Sequence, residues 1–295
     1  MRNTYIIHEG QVDPLTKKKI CIFAHYSSDK TIRDSDLYWV KSLFKWDCAV
    51  FFVSSVEQLK QKELEKISPY VAKVIVRPDH GYDFGSYCIG FDLAQEYTHA
   101  EYLVIMNDSC FGPVNSLNYL DSLLPKTDYE LLANSDFRIG TDYILQSFFY
   151  VWRYSQKSIE NLKSFFQNWD LSWNKFQVGE KGEWGMTVFF KAKGYHFNIL
   201  CPLTKLEEKA GFFGNDAYLP FWHLSLTHFY TPFLKKIIFK KYYENNNNPF
   251  ANIYYPILER HNAFFEEKHL SIIAALNPDL VPIIKKEIYH HEEIS

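Results

Sequence analysis

Apolar residues follow two rhythms along this chain. Short unbroken runs, ICIFA at 20–24, CAVFFV at 48–53, VIV at 74–76 and YLVIM at 102–106, read as strands buried on both faces. Between them, apolar residues recur at helical spacing: Leu37, Val40 and Phe44, then Val56, Leu59, Leu64 and Ile67, then Phe84, Cys88, Phe91 and Ala94. Asp34 or Ser35 is placed to cap the first helix, and Ser54 or Ser55 the second. Strands alternating with amphipathic helices predict an α/β domain with a mostly parallel sheet.

The second half repeats the theme less regularly. A turn at Gly112-Pro113 leads to a short helix over 116–124. Strands are predicted at 130–133, 146–152 (QSFFYVW) and 195–200, and helices at 158–166 and within 182–193, the last closed by Gly194. Beyond Pro202 the pattern weakens. The segment 234–243 (LKKIIFKKYY) mixes apolar residues with Lys235, Lys236, Lys240 and Lys241, and reads as an amphipathic helix. Asn245 to Asn248 form a low-complexity break, and 250–258 and 270–276 look helical. This divides the chain into a main domain, 1–243, and a helical C-terminal extension, 244–295, packed on it.

The stretch 74–114 is the centre of the functional reading. It runs strand, polar loop, helix, strand, polar loop, with Asp79, His80 and Asp83 after one strand and Asn107, Asp108 and Ser109 after the next. If the two strands form a right-handed βαβ unit, both loops lie on the edge where open parallel sheets bind ligands. His25 leaves the first strand on that edge. A nucleoside diphosphate needs hydrogen bonds to base and ribose and neutralisation of its phosphates. Asp83 suits the base or ribose, and Asp108 suits a divalent cation, Mg²⁺ or Mn²⁺, bridging phosphate oxygens. His25, Asp79, Gly81, Tyr82, Ser86, Asn107 and Ser109 fill out the candidate cofactor-binding set, with Gly81 and Gly85 allowing close backbone approach. Each Asp also has a local reading: Asp83 as a helix cap, Asp108 as a turn residue.

Composition narrows the picture. The net charge of −3 argues against a dedicated nucleic-acid binder. Five dispersed cysteines without a CxxC pair fit reduced thiols in a cytoplasm and give no zinc-site spacing. The start MRNTYIIHEG has no signal-peptide core, and no uncharged apolar run approaches the ~18 residues of a membrane span. GYDFGS at 81–86 is neither a dinucleotide fingerprint nor a Walker loop, and there is no GxSxG elbow or HExxH pair.

One more segment carries chemistry. VGEKGEWG at 178–185 places Glu180 and Glu183 at a glycine-flanked helix start. Transfer of a sugar to a hydroxyl requires a general base, and a positioned Glu serves that role. Glu183 is preferred because Trp184 beside it can stack on a sugar ring; the rival reading is complementation of the helix dipole.

The pieces HGYDFGSYCIGF, YLVIMNDSCFGPV, QSFFYVW, EWGMTVFFKAKGYH and WHLSLTHFYTPFLKK, in that order, resemble the rhamnan synthesis protein F family over about residues 20 to 240. That family is similar to the GT-A glycosyltransferases, whose Rossmann-like domain binds nucleotide sugars and whose DxD-type motif holds metal and diphosphate. Asn107-Asp108-Ser109 takes the motif's place with one carboxylate instead of two. The resemblance implies a glycosyltransferase with a dTDP-rhamnose or similar deoxyhexose donor. It implies a growing glycan on a lipid carrier as acceptor; such folds leave retention or inversion open, and inverting displacement with Glu183 or Glu180 as base is the default. A cytoplasmic enzyme of this kind would meet the membrane peripherally; 233–243 (FLKKIIFKKYY) is the best docking candidate, against the rival reading of an ordinary amphipathic helix packed on the core with its lysines in water. Two rival readings are a non-catalytic scaffold of a polysaccharide-synthesis complex and a transferase of a phosphorylated substituent.

Overall fold

Strand residues alternate between two hydrophobic cores. Cys21 and Phe23 enter one, Ile20, Ile22 and Ala24 the other. Val50 and Phe52 against Ala49, Phe51 and Val53 do the same one strand away. A strand apolar on both sides must be covered on both sides, which is why these runs are unbroken rather than alternating. The computed structural model describes residues 5–124, 129–239, 256, 259, 260 and 264–289.

In chain order the main elements are β1 (Ile6–Glu9), β2 (Lys19–His25), α1 (Asp34–Lys45), β3 (Cys48–Ser55), α2 (Gln61–Ile67), β4 (Lys73–Arg77), α3 (Tyr82–Ala94), β5 (Tyr102–Asn107), β6 (Cys110–Phe111) and α4 (Asn118–Leu123). They continue with β7 (Leu131–Ile139), β8 (Asp142–Leu145), β9 (Phe149–Arg153), α5 (Gln156–Phe166), α6 (Lys175–Val178), a π-helical turn (Gly179–Trp184), α7 (Gly185–Ala192), β10 (Phe197–Cys201), α8 (Leu203–Ala210), α9 (Trp222–Thr227) and β11 (Leu234–Lys235). The last two helices are α10 (Leu270–Leu276) and α11 (Leu280–Tyr289).

The main sheet runs β1-β4-β3-β2-β5-β9-β7-β10, with β8 paired to β7. Strands β2, β3, β4 and β5 are parallel, as are β7 and β10, whereas β1, β8 and β9 pair antiparallel. The sheet is therefore α/β and mostly parallel, as the pattern predicts. Helices α1, α2, α4 and α8 contribute to one core; α3, α5 and α7 contribute to the other. Winding proceeds from β2 outward to β4, then returns across the opposite face to β5. The strand order thus reverses between β2 and β5, where open α/β sheets form a crevice.

Several local expectations change. The strands around 74–76 and 102–106 are not neighbours, because β3 and β2 lie between them. Helix α1 buries Trp39, Val40 and Leu43 and leaves Leu37 and Phe44 only half-buried, so its inward face is rotated from the one the spacing suggested. Ser54 and Ser55 cap nothing: both lie in β3, and the next helix starts at Gln61. Asp83 is no cap either; α3 starts at Tyr82 behind Gly81, which adopts φ +74°.

The segment expected to be a basic amphipathic helix is a short strand and a 3-10 turn. Phe233, Leu234, Ile238 and Phe239 are buried and Lys236 is nearly so. A docking surface needs those side chains outside, so residues 233–239 do not form one. Lys240, Lys241, Tyr242 and Tyr243 lie outside the described residues, as do the domain boundary at 243/244, the asparagine run and most of the helix expected over 250–258. A third core joins Leu270, Ile273, Leu280, Ile284 and Ile288 of α10 and α11 to Phe111, Trp222 and Leu234. Among the described residues, no helix is long and apolar enough to cross a membrane.

Candidate active site

The crevice between the ends of β2 and β5 is built from backbone upward. Parallel pairing sets Ala24 beside Asn107, and the Asp108 N–H donates to the Ala24 carbonyl at 3.1 Å. The Asp108 carboxylate reaches back, with Oδ2 accepting from the Tyr26 N–H at 2.9 Å. The Asn107 amide donates to Asp83 Oδ2 at 2.7 Å, and its Oδ1 accepts from the Ser109 N–H at 3.1 Å. The two acidic loops therefore meet although their strands do not: the 78–81 loop carries the start of α3 across to the end of β5.

Below this turn His25 and Asp108, both expected in the site, meet an acid the sequence reading missed, Asp36. One ring nitrogen of His25 and one carboxylate oxygen each of Asp36 and Asp108 lie within 4.8 Å of one another. His25 Nε2 and Asp36 Oδ2 are buried, 3.5 Å apart, and have no hydrogen-bond partner. Unsatisfied buried polar atoms cost free energy, so two of them aimed at a third acid mark a place prepared for something else. Burial and the neighbouring Asp36 charge push the Asp108 carboxyl up to about 7. Burial lowers His25 to about 4, so its ring is neutral near pH 7. One imidazole nitrogen and two carboxylate oxygens are a donor set that fits a divalent cation. His25 Nδ1 lies 2.9 Å from Ser54 Oγ, the outer contact that fixes a ligating imidazole. Asp36 was legible in principle. Positions 36, 39, 40 and 43 share the buried helix face, and an acid there needs a reason.

The loop after β4 has another character. Arg77 is 2% exposed and donates from Nη1 to the Pro78 carbonyl at 2.9 Å and to the His80 carbonyl. Nη2 donates to the Tyr82 carbonyl at 2.6 Å, and Nε and Nη2 donate to Ser86 Oγ at 3.0 and 2.8 Å. Ser86 is thus held beneath the loop by Arg77. Gly81 is buried against Leu171, and a Cβ there would come within 3.0 Å of it. Asp79 is exposed as a residue, and partial desolvation of its carboxyl by neighbouring atoms raises its pKa. Tyr82 is 40% exposed with Lys175 Nζ 5.3 Å over its ring. Of this loop's predicted site residues, only Asp83 joins the crevice cluster.

The far wall comes from the second half of the chain. Glu183 sits on the π-helical turn, and its Oε1 accepts from the Ser147 N–H at 2.6 Å. Burial raises its pKa, and the negative charge of Asp83 adds to the effect. Glu180 is exposed, pairs with Lys181 at 3.5 Å and stands apart from this group. Asp216 is a further acid within electrostatic reach of Glu183, pushed up to about 6 by burial. Its Oδ2 accepts from the Gln146 amide at 3.3 Å. Lys235 Nζ lies 3.7 Å over the Phe148 ring and lowers the proton affinity of both acids. Asp216 and Lys235 carried no local signal, because neither stands at the end of a predicted parallel strand.

The sequence model of the family described as rhamnan synthesis protein F matches residues 50–292. The chain belongs to that family. The match extends past residue 240, so the C-terminal helices are part of the family unit, contrary to the shorter resemblance drawn from motifs. Two curated relatives carry the name virulence protein VirA, from Vibrio anguillarum and its strain ATCC 68554 / 775. Each is 26% identical over 200 residues, covering 65% of this chain and 62% of the relative. Among solved structures, a cytidylyltransferase from Leptospira borgpetersenii serovar Hardjo-bovis aligns with TM-score 0.39 at 14% identity, over 88% of this chain and 98% of that one. A putative glucose-1-phosphate thymidylyltransferase from Bacillus anthracis aligns with TM-score 0.39 at 6% identity, over 61% and 86%. At those scores the structural likenesses carry no weight for function.

Proposed function

We propose that this protein is a GT-A-type glycosyltransferase that moves a sugar from a nucleoside diphosphate donor to a growing bacterial surface polysaccharide. The observation that carries the reading is that Asp83 lies within electrostatic reach of both Asp108 and Glu183, beside the place where the strand order reverses. Membership of a rhamnan synthesis family supports rhamnose, from dTDP-rhamnose or a similar donor, as the transferred sugar. A lipid-linked glycan in the cytoplasm is the acceptor that fits such a pathway.

Roles follow from geometry. Asp83, oriented by the Asn107 amide, accepts from the ribose or base. His25, Asp36 and Asp108 would hold Mg²⁺ or Mn²⁺, whose charge would stabilise the departing diphosphate. Lys235, within electrostatic reach of Glu183 and Asp216, would add positive charge to the opposite wall. Glu183 takes the proton from the acceptor hydroxyl as its oxygen bonds to the anomeric carbon and the bond to the diphosphate breaks. A carboxylate whose pKa is raised by burial is a stronger base for that step. Trp184, 36% exposed beside it, offers a face for the acceptor sugar.

A panel of nucleotide sugars tests this. Purified protein with Mn²⁺ should slowly release nucleoside diphosphate from dTDP-rhamnose or a close relative. The same nucleoside diphosphate should raise the melting temperature, because it binds only the folded state. Asp108→Ala should lose both effects. No release from any donor and no thermal shift with any nucleoside diphosphate would overturn the reading, and transfer of a phosphorylated group would replace it.

A further inference from the structure

Helix α1 begins at Asp34, and no side chain from its own flank caps it. A residue 252 positions beyond Ser35 takes that place. Glu287 Oε1 accepts from the Ser35 N–H at 2.7 Å, and Oε2 accepts from the Ser35 hydroxyl at 3.0 Å. The carboxylate thereby satisfies an orphan donor at the positive end of α1. Lys236 completes the network. Its Nζ donates to Ser35 Oγ at 3.0 Å and to Asp36 Oδ1 at 3.4 Å, and stands 4.0 Å from Glu287 Oε2. The side chains of Asp36, Lys236 and Glu287 are 0%, 11% and 11% exposed, so these charges interact with little screening.

The consequence falls on Asp36. Lys236 engages one of its oxygens, and the other is the unpartnered Oδ2 beside His25 Nε2. A carboxylate fixed through one oxygen presents the second in a set direction, which is how outer residues orient ligands. Fastening α11 would not require this arrangement. Leu280, Ile284 and Ile288 already bury that helix, and Lys286 pairs with Asp34 at the surface.

We propose that Glu287 is a positioning residue for the His25–Asp36–Asp108 cluster: from the C-terminal helix it caps α1 and anchors the lysine that orients Asp36. The inference rests on the cation site described above and adds a distant control over it.

The test is Mn²⁺ titration of the full chain, read as free Mn²⁺ by electron paramagnetic resonance, with amide hydrogen exchange over 34–39. Glu287→Gln should weaken Mn²⁺ binding on the order of 10- to 100-fold and speed exchange at Ser35. Lys286→Gln, the adjacent residue in an exposed pair, should change neither. Should Glu287→Gln unfold, Ser35→Ala breaks only the hydroxyl bridge and should still weaken Mn²⁺ binding several-fold. Wild-type Mn²⁺ affinity in Glu287→Gln or Ser35→Ala, whatever happens to the melting temperature, would overturn the positioning role and leave the transferase reading standing. A wild-type chain that binds no Mn²⁺ would remove the cation site and this role together.

Discussion

Two polar constructions stand on one edge of the sheet, and they are finished to different degrees. In the loop after β4, Arg77 donates to three carbonyls and to Ser86 Oγ. At the ends of β2 and β5, His25 Nε2 and Asp36 Oδ2 are buried without partners beside Asp108. A completed network holds a shape, whereas an incomplete one waits for a ligand. Judged by motif alone, the β4 loop is the richer site, with its glycines, aspartates and serine. Judged by satisfaction of polar groups, it is scaffold that holds Asp83 against Asn107, and the unsatisfied buried atoms lie next door.

The sharpest trial of that contrast is on the open side. Glu183→Gln keeps size and removes the basic oxygen. Turnover should fall roughly 10²- to 10⁴-fold with donor affinity little changed, measured by steady-state kinetics and calorimetry. Loss of donor binding instead would make Glu183 a structural acceptor for Ser147.

On the closed side, the expected effect is on folding. Arg77→Met removes the donor from a buried network and leaves carbonyls unpaired, so unfolding in urea should show a loss of about 3–5 kcal/mol. A stable Arg77→Met chain with impaired nucleotide binding would reverse the assignment, making Arg77 part of the site.

A smaller effect tests whether the crevice is held at a cost. Burial keeps the Asp216 carboxyl protonated up to about 6, above its ordinary value of 3.8. Between those values the folded chain binds more protons than the unfolded one, so stability falls as pH rises through this window. Asp216→Asn removes the penalty. Its melting temperature should exceed wild type at pH 8, by an amount worth on the order of 1 kcal/mol, and converge with it near pH 4. An equal difference at both pH values would mean that the carboxyl is not strained by burial.

How much of this the sequence discloses depends on the range of the interaction. Strands β2, β3, β4 and β5 are legible because their apolar runs must be covered on both faces. The Asn107-Asp108-Ser109 turn is legible because it follows such a run. The spacing fails where a partner comes from far away. Nothing near Ser35 announces that its amide is capped by Glu287, and nothing near Lys236 separates it from Lys235. Yet those two neighbours face different surroundings, one against Asp36 and the other over Phe148. The basic–apolar helix expected over 233–243 shows the same limit: among its described residues, Leu234 and Lys235 form a short strand beside β6.

The π-helical turn at Gly179–Trp184 has a consequence for how this chain can change over time. Such a turn holds one residue more than an α-helix would, and each residue of a helix rotates the next by about 100°. Removing a single position there would restore ordinary winding and swing Glu183 away from Ser147, while α7 behind it kept its buried Met186 and Phe190 only by sliding. On the proposed role of Glu183, the length of 179–184 therefore matters as much as the glutamate itself. A chain shortened by one residue at this place is expected to keep the fold and lose the proposed proton transfer.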